Sequence, residues 1–255
     1  MSDEKYLYCF IKCPEEREFA VDSIGDAGDR VYTINHLDLA AVVSDSPNVK
    51  EYKLNKENTT RHESVLGKVL EDFTVLPVGF GTVTEGAEQI RENVLQRNYK
   101  ELLQLIDEMD GKVELAIKAV WRNNQIIYQE ILKTAPGIKS RLNKVMTSSK
   151  MELSRLIISS TELGNRLISA IDKIKEHHTQ TLLPTLEKEA LDKRLKKIYS
   201  PLMIFNAAFL VDRAREEKFD RAVEELDQKY GKDIKFIYTG PLAPYRFVDF
   251  RIALA

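Results

Sequence analysis

Two prolines and a glycine punctuate Gly240-Pro241-Leu242-Ala243-Pro244-Tyr245-Arg246-Phe247-Val248, a stretch otherwise built of strand-forming residues. Pro241 and Pro244 fix φ and each remove a backbone donor, so the segment is excluded from the centre of a sheet and must leave the ladder as a stiff, extended arm. In such an arm Tyr245 and Phe247, two apart, share one face and serve as anchors. The arm is expected to brace the second half of the chain or to bridge it to the first. An echo lies upstream in Thr74-Val75-Leu76-Pro77-Val78-Gly79-Phe80-Gly81-Thr82-Val83, where one proline and two glycines sit among β-branched and aromatic residues. This composition fits backbone held close to another surface. Pro77, Phe80, Gly240, Pro241, Leu242, Pro244, Tyr245 and Phe247 are therefore the residues expected to make bracing or partner contacts.

Periodicity divides the chain into two α+β halves. In the first, 5–12 and 30–35 read as strands, with a helix opening at Pro14 between them that turns Ala20, Val21 and Ile24 inward. Leu39 to Val43 returns as a hairpin partner of 30–35. A helix follows, with His62, Val65, Leu66, Val69, Leu70 and Phe73 on one stripe, and then a strand over Leu76 to Val83. That order is the split βαβ, or ferredoxin-like, plan. One further amphipathic helix carries Ile90, Val94, Leu95, Leu102, Leu103 and Ile106 and ends near Gly111.

The second half opens on alternating Val113, Leu115, Ile117, Ala119 and Trp121, the pattern of a half-buried strand. A helical hairpin is expected over about 139–199. Its first helix carries Leu153, Ile157, Ser160, Gly164, Leu167, Ile171 and Ile174, Leu183-Pro184 forms the break, and its second helix carries Leu191, Leu195 and Ile198. Such a hairpin either packs on its own domain or reaches another molecule. Met203 to Val211 reads as a strand, Phe219 to Tyr230 as a helix and Ile234 to Tyr238 as a strand leading into the arm. The expected organisation is an N-terminal α+β domain over 1–110 and a modified ferredoxin-like domain over 111–255, with the helical insertion at 139–199 and the arm at 240–255.

The 255 residues include 38 Lys plus Arg against 40 Asp plus Glu, and 43% are apolar. A charge this balanced supplies no field to gather nucleic acid or an anionic membrane. No apolar run nears the roughly 18 residues of a membrane-spanning helix, and Ser2, Asp3 and Glu4 are not the start of a signal peptide, so a cytoplasmic location is expected. Cys9 and Cys13 fall in one strand about 13 Å apart, too far for a disulfide or a shared metal ion, and read as packing residues of a reducing compartment.

The residues that invite a chemical role each have a plainer reading. Gly79-Phe80-Gly81 lacks the third glycine of a dinucleotide loop, since Thr84 stands there, and no Gly-Lys-Ser/Thr follows. His62 lies on an apolar helix stripe, where a hydrogen-bonded packing histidine is the commoner case. His177 and His178 project about 100° apart on a solvated helix end and cannot clasp one ion. Lys193-Arg194-Leu195-Lys196-Lys197, preceded by Glu187, Glu189 and Asp192, is a charged outer face or, less simply, a contact for an acidic protein. No catalytic constellation, cofactor motif or metal spacing stands out, so a non-enzymatic role is expected.

The two proline-bearing runs, with Tyr6-Leu7-Tyr8-Cys9-Phe10-Ile11 and Ala207-Ala208-Phe209-Leu210-Val211, resemble the gas vesicle protein F/L (GvpF/GvpL) family, accessory proteins of gas vesicle formation. The family's final motif reads Gly-Pro-Trp-Pro-Pro-Tyr-Ser-Phe. Here Leu242 replaces the tryptophan, Ala243 the middle proline and Arg246 the serine, and the smaller leucine weakens the arm's contact by roughly 1 kcal/mol. The resemblance implies two α+β domains, the second modified ferredoxin-like. It also implies an assembly factor for the gas vesicle whose partners are the small, very apolar shell protein (GvpA-type) and other accessory proteins. Two other classes compete with this reading. A small-molecule-sensing regulator built of paired ferredoxin-like modules would need a closed pocket with convergent polar groups. A hydrolase or transferase would need the catalytic constellation that the residues do not display.

Overall fold

The computed structural model describes residues 4–25, 30–46, 49, 51–134 and 162–250. They form two compact units, one of the residues up to Glu114 together with those from Gly240 onward, the other of Leu115 to Thr239. The arm, expected at the end of the second domain, thus lies with the first unit.

The first unit contains strands β1 (Lys5–Lys12), β2 (Glu18–Phe19), β3 (Val31–His36), β4 (Leu39–Asp45), β5 (Leu76–Pro77) and β6 (Val83–Thr84). Its sheet runs β2-β3-β4-β1-β5, with β6 also on β1. The β3–β4 hairpin closes with His36 opposite Leu39, and β4 pairs antiparallel with β1. β1, paired on both edges, is also buried from Lys5 to Ile11, as its apolar run requires. Helix α1 (Lys56–Leu70) starts where the Asn55 side chain caps the Asn58 N–H and buries His62, Val65, Leu66, Val69 and Leu70.

Three expectations for this unit fail. The strand expected over Leu76 to Val83 is two short ones, β5 and β6, which pair with β1 at Cys9–Phe10 and at Lys5–Tyr6 and leave a loop between them. Among the described residues no helix opens at Pro14. Instead Glu18–Phe19 pairs with β3, Arg17 exchanges bonds with Thr33 at both its N–H and C=O, and Ile24 N–H donates to Tyr8 Oη at 2.8 Å. These bonds to the sheet outweigh a local helix preference, and the split βαβ plan is not met in its first crossover. The helix expected over residues 90–106 is two elements. A helical turn α2 (Ala87–Gln89) continues as a π-helical segment (Ile90–Gln96), and the chain breaks at Asn98 before α3 (Tyr99–Met109).

The second unit's sheet runs β10-β7-β9-β8, from β7 (Lys112–Trp121), β8 (Asp192–Leu195), β9 (Met203–Asp212) and β10 (Ile234–Leu242). Helix α4 (Asn124–Thr134) packs on α5 (Glu162–Glu187), and α5 packs on β9 and on α6 (Glu216–Tyr230). Leu153, Ile157 and Ser160 of the expected hairpin lie outside the described residues. Its later part is corrected. Pro184 sits inside α5, whose last turn continues to Glu187, and 192–195 is a strand, because β9 offers it a ladder from Asp192–Leu210 to Leu195–Ala207. His178 is not at a solvated end. It lies within α5 against Trp121, ring centroids 5.7 Å apart, and 3.8 Å from Glu130 of α4.

Candidate functional site

Strand alternation places Tyr6 and Tyr8, two apart in β1, with their rings toward α1, where each ring stacks near His62 at 5.7 and 5.6 Å. His62 is 1% exposed. The loop between β5 and β6 brings Phe80 edge-on to the same imidazole at 5.7 Å. The arm then arrives from the far end of the sequence. Its first residues, Gly240 to Leu242, finish strand β10, and beyond them it does not run extended. Tyr245 N–H donates to Ala243 C=O and Phe247 N–H to Pro244 C=O, making a tight turn that aims Tyr245 at His62.

His62 Nδ1 lies 2.9 Å from Tyr6 Oη, and its Nε2 is hydrogen-bonded to Tyr245 Oη. Tyr6 Oη accepts the Gly81 N–H at 2.9 Å, and Tyr245 Oη donates to Val78 C=O at 3.2 Å. One arrangement satisfies every atom. Gly81 N–H donates to Tyr6, Tyr6 O–H to His62 Nδ1, His62 Nε2–H to Tyr245, and Tyr245 O–H to Val78 C=O. The network therefore selects the neutral imidazole with its proton on Nε2. Burial acts in the same direction, pushing the His62 pKa down to about 4, and it raises both tyrosine hydroxyls so that they stay protonated. Both imidazole nitrogens are engaged, so the group is a knot joining β1, α1, the β5–β6 loop and the arm.

Beside it, Glu114 in β7 is fully buried, and its two oxygens accept from the Arg246 backbone N–H at 3.1 Å and from the Arg246 guanidinium. Further along the arm, Phe250 stands edge-on to Phe10 at 6.0 Å. Phe80 and Tyr245, from the two proline-bearing runs, thus meet at one histidine. Pro77 pairs with Cys9 in the ladder. Pro244 is buried within the turn and Phe247 closes it, whereas Gly240 and Pro241 are exposed and Leu242 half-buried in β10, joined by a cis Gly240–Pro241 peptide. Tyr6, Glu114 and Arg246 were not singled out by the sequence. A carboxylate in the alternating run of β7 reads as solvent-facing, and Arg246 reads only as a departure from the serine of the motif it resembles. Cys9 and Cys13 are buried and free.

The sequence profile described as "Gas vesicle synthesis protein GvpL/GvpF" matches residues 4–249. The chain belongs to the GvpL/GvpF family. Among GvpL/GvpF relatives, gas vesicle protein F of Haloferax mediterranei is 27% identical over 99% of this chain and 96% of its own length. Gas vesicle protein L1 of Halobacterium salinarum is 26% identical over 97% of this chain and 91% of its own. The crystal structure of GvpF from Anabaena sp. PCC7120 superposes with a TM-score of 0.78 at 25% identity, covering 98% of this chain and 100% of that one. A GvpF crystal structure from Microcystis aeruginosa, at 24% identity and a TM-score of 0.76, shows the same fold. Membership of GvpL/GvpF gives the chain a role in gas vesicle formation.

Proposed function

We propose that the protein is a non-enzymatic accessory factor that binds the small apolar shell protein of the gas vesicle, shields it and supports nucleation or growth of the vesicle together with other accessory proteins. The observation that carries this reading is the family match across residues 4–249. The physical argument is that a monomer built to form an apolar wall aggregates unless its apolar face is covered before assembly. A near-neutral folded body suits such a carrier, and this chain carries 38 cationic against 40 anionic residues. None of the described helices is long and apolar enough to cross a membrane. The site of action on this reading is the cytoplasm and the growing vesicle.

Co-expression of the tagged chain with the shell protein in a host lacking gas vesicle genes tests the proposal. The soluble fraction of the shell protein should rise, and a complex should be recovered through the tag. A shell protein that stays wholly insoluble, with none recovered, rejects it.

A further inference from the structure

A second feature lies wholly within the second unit. Ile168, Ile171, Asp172 and Lys175 of α5 face Ile198, Tyr199, Ser200 and Pro201 of the β8–β9 connection across a cavity of about 330 Å³. Its apolar surface continues past the mouth, with Tyr199 75%, Ile198 40% and Ile168 38% exposed. Lys193, ion-paired to Glu187 at the end of α5, stands on the same side of the extended chain as Leu191 and Leu195, both more than half exposed.

The cation in this groove is unusual. Lys175 is nine-tenths buried, yet its ammonium makes a single hydrogen bond, 3.3 Å to Ser200 C=O, an oxygen that already accepts the Met203 N–H at 3.0 Å. Three donors are available and one is used. Asp172 favours the charged form without pairing to it, while burial disfavours it. A buried ammonium with spare donors among isoleucines is complementary to a carboxylate carried on an apolar body. Exposed apolar side chains at Ile168, Ile198 and Tyr199 continue the surface past the mouth, which suits an occupant that extends beyond the cavity, a polypeptide, better than a small molecule.

We propose that this groove docks an apolar segment of a partner protein that carries one carboxylate among its apolar side chains, the carboxylate seated on Lys175 and the apolar side chains on Ile168, Ile198 and Tyr199. The proposal does not depend on the partner being the shell protein.

The test titrates the ¹⁵N-labelled full chain with a short leucine–threonine peptide bearing a central glutamate, and with the same peptide bearing glutamine. The glutamate peptide should shift the amides of 168–175 and 198–201 saturably, and the glutamine peptide should bind at least about tenfold more weakly. The Lys175→Met variant should bind the two peptides alike, and Tyr199→Asp, a surface change, should weaken both. Equal affinities on the unaltered protein, discrimination retained in Lys175→Met, or no saturable shift overturns the proposal. A concentration-dependent dimer in sedimentation that Tyr199→Asp dissolves overturns it in favour of a second copy as the occupant.

Discussion

Arg246 and Glu114 are the pair in which removing one side chain should hurt most. Glu114 is fully buried, so Arg246→Ala leaves a carboxylate in the interior with only a backbone N–H for company. The expected loss is about 3 kcal/mol in denaturant unfolding of the full chain. Replacing both as Glu114→Gln with Arg246→Ser, the residue of the motif this arm resembles, should cost less than Arg246→Ala alone, since the stranded charge is gone; an equal or larger cost denies the pairing its role. His62 makes a separate prediction. Its folded pKa of about 4 lies below the ordinary 6.5. The stability it supplies is complete above pH 6.5 and is lost as the pH falls through 6.5 toward 4, where the unfolded chain takes up a proton that the folded chain refuses. The loss should total about 3 kcal/mol. A His62→Phe variant should flatten that limb of the pH–stability curve; an unchanged limb assigns it to other groups. Tyr245→Phe, which strands His62 Nε2–H and Val78 C=O, should cost about 1–2 kcal/mol.

Among the elements, the arm carries the clearest expectation. Truncation after Thr239 removes Tyr245, Arg246 and Phe250 together and should destabilise the first unit by roughly 4 kcal/mol or more, read as loss of hydrogen-exchange protection in β1 and α1. Protection unchanged from the full chain would deny the arm its bracing role. What the sequence makes legible here follows from physics local to each segment. The all-apolar Tyr6 to Ile11 admits little but a buried strand, and the α1 stripe from His62 to Leu70 little but a helix. Segments whose structure is set by neighbours are not legible in this way. Leu191, Leu195 and Ile198 fit a helical period, yet Leu191 and Leu195, four apart, also fit a strand one, and the edge of β9 decides for the strand. The residues after Pro14 look helical until the bonds to Thr33 and Tyr8 are known. Of the site, the prolines and Tyr245 announced themselves, but its partners lie 183 residues away at His62 and, for Arg246, 132 away at Glu114, distances over which no spacing rule operates.

At the scale of the whole molecule the near balance of charge is itself predictive. With 38 cationic and 40 anionic residues, long-range steering is weak. Association with an apolar client should change by less than about twofold between low salt and about 0.5 M salt, measured by pull-down or titration, because burial of apolar surface is not screened. A steep fall with salt would point instead to an exposed charged contact such as Lys193 to Lys197. The arm's return to the first unit also sets a timetable for synthesis. Glu114 leaves the ribosome 132 residues before Arg246. At typical elongation rates that interval is roughly 7 to 26 s, during which Glu114 waits without its guanidinium partner and His62 is bonded on one side only. The first unit is thus sealed only once the arm has been made, and a polypeptide released before it carries an unfinished first unit open to proteolysis, so that translation through the arm is a check on the integrity of that unit.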